Sequence, residues 1–350
     1  MKTMKLTAAI TMTAMMASLT ASAANLPDPD GKPADMSKPV QVYILLGQSN
    51  MLGFGKIGPE GKDGRLLTAV KEKDLYPYLI DDEGNWTVRK DVRYVRVMNH
   101  RKFNNEWMTI KGKIGPEVGI GHYVGNAVDA PVMILKSCIG NRSLGWDLLP
   151  PGTPRYTVDG KEYPGYGETV TSTKDRTIVK YDKEKAKAKE IVNWYAGKQY
   201  DSDIAAAKRV LADLEKYYPG AKDYEVAGFF WWQGDKDFRN PGHAAKYEEN
   251  LMRLLKALRK DFDAPEAKLV IATLGQTKKD AGGTQGQIIN AMFNVADPAK
   301  YPENKGKVAT FYTNPVIKGG SSSSHYNRNA ETYMNVGEGM GAAMVELLTE

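Results

Sequence analysis

The chain has a single cysteine, Cys138, so no disulfide can form within it. Cys138 follows the apolar run Met133-Ile-Leu and reads as a small buried hydrophobe rather than a working thiol. Long apolar runs are lacking as well. Beyond the N-terminal region no stretch approaches the roughly 20 apolar residues that span a bilayer, so no membrane span is expected. Neither sign of charge is gathered into blocks: 48 Lys and Arg stand against 42 Asp and Glu, a formal charge of +6, and they are scattered. That pattern argues against a nucleic-acid partner. There are only four histidines, with no His-Glu-x-x-His pattern and no Cys/His ligand spacing, so neither a metal nor a cofactor is expected. No internal repeat is visible.

Residues 1–23 have the layout of a secretory signal. Lys2 and Lys5 give a positive start, Leu6 to Leu19 is an uncharged apolar and Thr-rich core, and Ala21-Ser22-Ala23 supplies small residues for cleavage after Ala23. The protein is therefore expected to be secreted or periplasmic. Residues 24–40, with Pro27, Pro29, Pro33 and Pro39, read as an extended lead-in. Residues 41–350 are long enough for one large domain, with surface insertions near 53–110 and 150–200. Without Lys2 and Lys5 the formal charge falls to +4.

The domain alternates strands and helices. Val42–Leu46, Pro131–Lys136, Tyr224–Trp232, Lys268–Leu274 and Val308–Tyr312 are apolar runs of strand length. Between them lie helical stretches: one after Gly115-Pro-Glu117, one over Asp201–Tyr217 with Asp201 as cap, and one beginning at Tyr247. Others cover Gly286–Val295 and about Ala330–Leu348. Residues 53–85 look like a loop excursion, and 86–98 hold one or two strands. Alternation over the whole length predicts an α/β fold with a doubly wound parallel sheet.

Three strands end in polar clusters: Gly47-Gln48-Ser49-Asn50, Gly140-Asn141 and Gln233-Gly234-Asp235. Parallel strands end on one side, and that edge is where ligands bind in such sheets. His325 lies in the polar loop Ser321–Asn327 just before the last helix. Acyl transfer needs a hydroxyl, a base to deprotonate it, a carboxylate behind the base and donors for the oxyanion. Ser49, His325 and Asp235 fill the first three roles. Gly140, Asn141 and Gln233 are candidate oxyanion donors. Gln48, Asn50 and Trp232 are candidates for holding substrate. Trp231, Trp107, Trp146 and the tyrosines of 156–181 could add a sugar platform. His100, His122 and His243 carry no matching motif.

Together Gly47-Gln-Ser-Asn-Met51, Trp231-Trp-Gln-Gly-Asp-Lys-Asp237 and the near-terminal His325-Tyr-Asn resemble the SGNH-type carbohydrate acetylesterases, in particular the sialate O-acetylesterase and carbohydrate esterase family six group. Gly115-Pro-Glu117 and Gly140-Asn-Arg-Ser-Leu144 with Trp146 extend the likeness, the latter usually being Gly-Gly-Thr-Ser-Leu in that group. The resemblance implies a flavodoxin-like three-layer sheet, Ser49 as nucleophile, His325 as base, and an oxyanion hole of the Ser49 amide, the Gly140-Asn141 turn and the Gln233 side chain. Two departures stand out. The position three before the histidine, often Asp, is Ser322, and the acid after Gln-Gly, commonly Glu, is Asp235. Support for His325 is therefore open between Asp235, Asp237 and no acid at all. The implied activity is removal of O-acetyl groups from a carbohydrate through an acyl-enzyme. The alternatives are a lipid or general ester hydrolase on this fold, and a carbohydrate-binding protein on a decayed one.

Overall fold

The computed structural model describes residue 26 and residues 31–97, 104–168, 177 and 194–350. The signal segment, His100, Met98 and Tyr181 lie outside the described residues. The central sheet has seven strands: β1 (Val40–Gly47), β2 (Arg89–Val97), β3 (Asn104–Met108), β4 (Val132–Ser137), β5 (Tyr224–Trp232), β6 (Lys268–Ala272) and β7 (Val308–Phe311). Their spatial order is β7-β6-β5-β1-β4-β2-β3. All neighbours are parallel except β3, which closes the β2 edge antiparallel. From β1 the chain fills one side with β2, β3 at the edge, and β4 returning beside β1, then crosses to the other side with β5, β6 and β7. The strand ends around β1 are thus the switch point of the topology, where a doubly wound sheet opens a crevice.

β1 is central because its residues can be buried on both faces. Val40, Val42, Ile44 and Leu46 pack on one side with residues of α2 (Lys198–Ala212), α3 (Tyr247–Asp261) and α4 (Gly283–Ala296). Tyr43 and Leu45 pack on the other with α1 (Glu117–Ala127) and α5 (Ala330–Thr349). The strand period of two sends alternate side chains to opposite layers. This is the three-layer, doubly wound α/β fold expected from the sequence.

Two local expectations are corrected. Residues 53–85 are not all loop: Leu66–Glu72 form a helix whose Leu66, Ala69 and Val70 join a separate small core. Asp201 does not cap its helix, which begins at Lys198 behind Gly197, a glycine at φ +93°. Asp201 lies within the first turn and accepts from the hydroxyls of Tyr166 and Tyr195 (2.6 and 2.7 Å). In the 150–200 stretch the described part holds a small hairpin, Tyr156–Val158 with Lys161–Tyr163.

Candidate active site

The serine stands where the central strand must stop. Gly47 pairs with Trp232 across β1 and β5, at φ +143°. A Cβ there would sit 2.4 Å from the Trp232 carbonyl oxygen, so only glycine allows the two strand ends to meet. Gln48 follows, then a single helical turn, Ser49–Leu52, which opens with Ser49. Ser49 is partly exposed, and among the described residues its hydroxyl makes no hydrogen bond. Gly140, from the turn after β4, lies against it: a Cβ on Gly140 would meet the Ser49 Cβ at 3.4 Å. The next residue, Asn141, is exposed and sits at φ +58°. Asparagine tolerates this left-handed conformation better than most residues, so the usual glycine is replaced without reshaping the turn.

The loop after β5 is clasped to the turn after β4. Asp237, fully buried, accepts from the amides of Leu144 (2.9 Å) and Gly145 (2.8 Å) and from the Gln233 side chain. Burial pushes its carboxyl up to about 6 despite those donors. Asp237 is a loop clasp, and His243 lies 3.8 Å from it. Gln233 also donates to the Arg142 carbonyl (2.8 Å) and to Gln48 Oε1 (3.3 Å), while its own oxygen accepts from Tyr247 (2.9 Å). With the hydrogens of its side-chain amide directed to protein acceptors, Gln233 fixes the two loops, and its reading as an oxyanion donor is corrected accordingly. Gln48 is buried too and its oxygen is taken by Gln233 and the Lys236 amide, so it is a brace rather than a substrate contact. Asn50 is buried and its side-chain amide has no partner among the described residues.

Trp232 is fully buried, which corrects its reading as a substrate contact. Its indole N–H donates to the Thr273 carbonyl (3.1 Å), and its ring stacks with Tyr326 at 5.7 Å. That stack carries the histidine. His325, Tyr326, Asn327 and Arg328 have φ of +51°, +50°, +51° and +59°, four consecutive non-glycine residues in the left-handed region. Such backbone persists only where its surroundings over-determine it. Here Tyr326 is the anchor: fully buried, its hydroxyl accepts from the Gly275 amide (3.2 Å), and its own amide donates to Ser321 O (2.9 Å). Trp231 and Trp146 are core residues as well.

The turn Ser322–Arg328 packs against the turn Ser49–Leu52, and the His325 ring stacks on Phe54 at 4.2 Å between centroids. Partial burial holds the imidazole below its ordinary value of 6.5, against the Asp235 charge, which raises it, and Arg328, which lowers it. His325 is therefore neutral near pH 7. Asp235 is buried beside this turn. Its Oδ1 accepts from the Ser322 hydroxyl (2.6 Å) and its Oδ2 from Arg239 (2.9 Å). The serine in place of the usual acid thus acts on Asp235 directly.

Sequence reading missed Phe54, Arg239 and one buried pair. Lys136, at the end of β4, is fully buried and donates to Glu117 and to the Leu52 carbonyl (3.2 Å). Glu117 also accepts from the Gly115 amide (3.0 Å). Gly53 is pressed onto Gly115, where a Cβ would come within 2.4 Å. The turn bearing Ser49 is held from below by these contacts. A lysine closing an apolar strand, two residues before Cys138, was the signal available. His122 is buried against Arg89 and Tyr78, with burial taking it down to about 3, and burial pushes the Cys138 thiol up to about 12. Both are structural.

Fold and site together define a doubly wound α/β protein whose chemistry-bearing side chains meet at the carboxyl edge of the sheet. Residues 185–346, a little under half of the chain, match the family described as SASA, carbohydrate esterase, sialic acid-specific acetylesterase. The match bears out the resemblance to the carbohydrate acetylesterases over that part of the chain. Solved structures are similar in outline. A protein from Arabidopsis thaliana is 14% identical over 88% of this chain and 98% of its own, with a TM-score of 0.49. XAC1771, a carbohydrate acetylesterase from Xanthomonas citri, is 11% identical over 87% of this chain and 55% of its own, with a TM-score of 0.47. NanS is 11% identical over 81% of this chain and 79% of its own, with a TM-score of 0.41. No curated protein matches the chain. Among the described residues no helix is long and apolar enough to cross a membrane.

Proposed function

We propose that this protein is an exported serine esterase that removes O-acetyl groups from a carbohydrate. The observation that carries the reading is the convergence at the β1 edge: Ser49 against Gly140, with the turn of His325 packed on the turn of Ser49. His325, neutral at pH 7, takes the hydroxyl proton as Ser49 attacks the acetyl carbonyl. The oxyanion is met by backbone amides of Ser49 and of the Gly140–Asn141 turn, which the Gln233–Asp237 clasp holds in place. The proton passes to the leaving sugar oxygen, leaving acetyl-Ser49. Water, deprotonated by His325, then releases acetate and restores the serine.

Asp235 supports His325 by charge, with Ser322 and Arg239 fixing its carboxylate. The polar insertion after Pro150 and the family match both favour a sugar over a lipid as the acyl carrier. Export rests on the layout of residues 1–23. The test of the mechanism is acetate release from acetylated glycans and aryl acetates by wild type and Ser49→Ala. Hydrolysis by wild type and none by the variant supports the serine mechanism. A folded wild type that releases no acetate from any ester would favour the binding-protein alternative.

A further inference from the structure

Arg142 sits in the same turn as the candidate oxyanion donors, two residues after Gly140, so its Cα is within about 7 Å of that glycine. At this position the resembling group usually has threonine, so the charge is this chain's own. The guanidinium is built in. Its Nε donates to Gln199 Oε1 (2.9 Å), and its carbon lies 4.9 Å from the centre of the Trp194 ring. Gln199 is fully buried and passes its own hydrogen bond to Asp203 (2.7 Å). Gln233 holds the Arg142 carbonyl. One edge, one face and the backbone of Arg142 are therefore fixed.

No carboxylate forms an ion pair with Arg142 among the described residues, and its two Nη groups find no acceptor there. Asp203 lies behind Gln199 and feels the Arg142 charge, yet burial raises its carboxyl well above its ordinary value, favouring the neutral form. Asp147, the other acid of the loop, is bound by the Ser143 amide and hydroxyl. Lys198 lies 5.3 Å over the same Trp194 ring. A half-buried guanidinium held along one edge presents its Nη groups as a pair of parallel donors, which suits a planar or tetrahedral oxyanion.

We infer that Arg142 forms a subsite for an anionic substituent, a carboxylate or a sulfate, on the sugar whose acetyl ester meets Ser49. The inference rests on the esterase reading but has its own readout, because binding needs no acetyl group. Titration calorimetry at low salt would compare a hexuronate, a sulfated hexose and glucose on the full chain, in wild type, Arg142→Gln and Arg142→Thr. The expected result is at least about tenfold tighter binding of one acidic sugar than of glucose by wild type, with that preference lost in both variants. Whichever acid binds tighter names the source of the anion. On acetylated substrates, the acidic-to-neutral ratio of kcat/KM should fall by a similar factor. No preference in wild type, or a preference that survives in both variants, overturns the inference. Neither result depends on what Ser49→Ala does to acetate release.

Discussion

The residue on which the chemistry turns most finely is Asp235. In the proposed mechanism it acts on the His325 ring through charge rather than a hydrogen bond, while Ser322 and Arg239 hold its two oxygens. Asp235→Asn removes the charge that raises the imidazole. The pKa of His325, already below 6.5, then falls further, so the acid limb of kcat/KM moves to lower pH while the plateau drops by about tenfold or more. A pH–rate profile checks this, and an unmoved limb would show that His325 works without Asp235. The same residues show where sequence reading stopped. Ser49, His325 and Asp235 were legible as residue types at strand ends. That Ser322 donates a hydrogen bond to Asp235 depends on two loops 87 residues apart meeting, and no local pattern encodes that. Trp232 and Gln48 misled because a polar or aromatic residue at a strand end looks available until its neighbours are known.

At the scale of elements, two buried acids have opposite situations. Glu117 is paired with Lys136, joining α1 to β4 and to the turn of Ser49. Lys136→Met leaves Glu117 buried and unpaired, and unfolding in urea should show a loss of about 3–5 kcal/mol, largely regained in Lys136→Met with Glu117→Leu. A double variant that is stable but slower would confirm that the pair positions the nucleophile turn. Among the described residues Glu338, on α5, pairs with no cation and accepts only from the Tyr78 hydroxyl (2.6 Å), and burial raises it from 4.5 to about 7. The unfolded chain loses this proton near pH 4.5 and the folded chain near 7, so stability falls as pH rises across that window. Relative to wild type, Glu338→Gln should be about 3 kcal/mol more stable at pH 8 than at pH 4, as read from urea midpoints at the two pH values. Equal gaps at both would contradict the assignment. The elements themselves were readable: β1, β4, β5 and α5 follow from apolar runs and 3.6-residue spacing. The helix Leu66–Glu72 was missed because its buried face belongs to a small side core rather than to the main sheet.

Taken whole, the molecule follows from one central strand buried on both faces, whose end is forced into a glycine corner by its neighbour. Everything proposed for catalysis lies around that corner. If the N-terminal layout is a signal, mass spectrometry of protein recovered from the periplasm or medium should find Ala24 as the first residue. Retention of Met1 in that fraction would refute cleavage there. The most direct test of the whole account is acetate release measured side by side for wild type and Ser49→Ala on acetylated glycans, with both shown to be folded. The account predicts turnover by wild type and loss of at least about a thousandfold in the variant. Equal turnover by the two would remove Ser49 from the chemistry and with it the central claim.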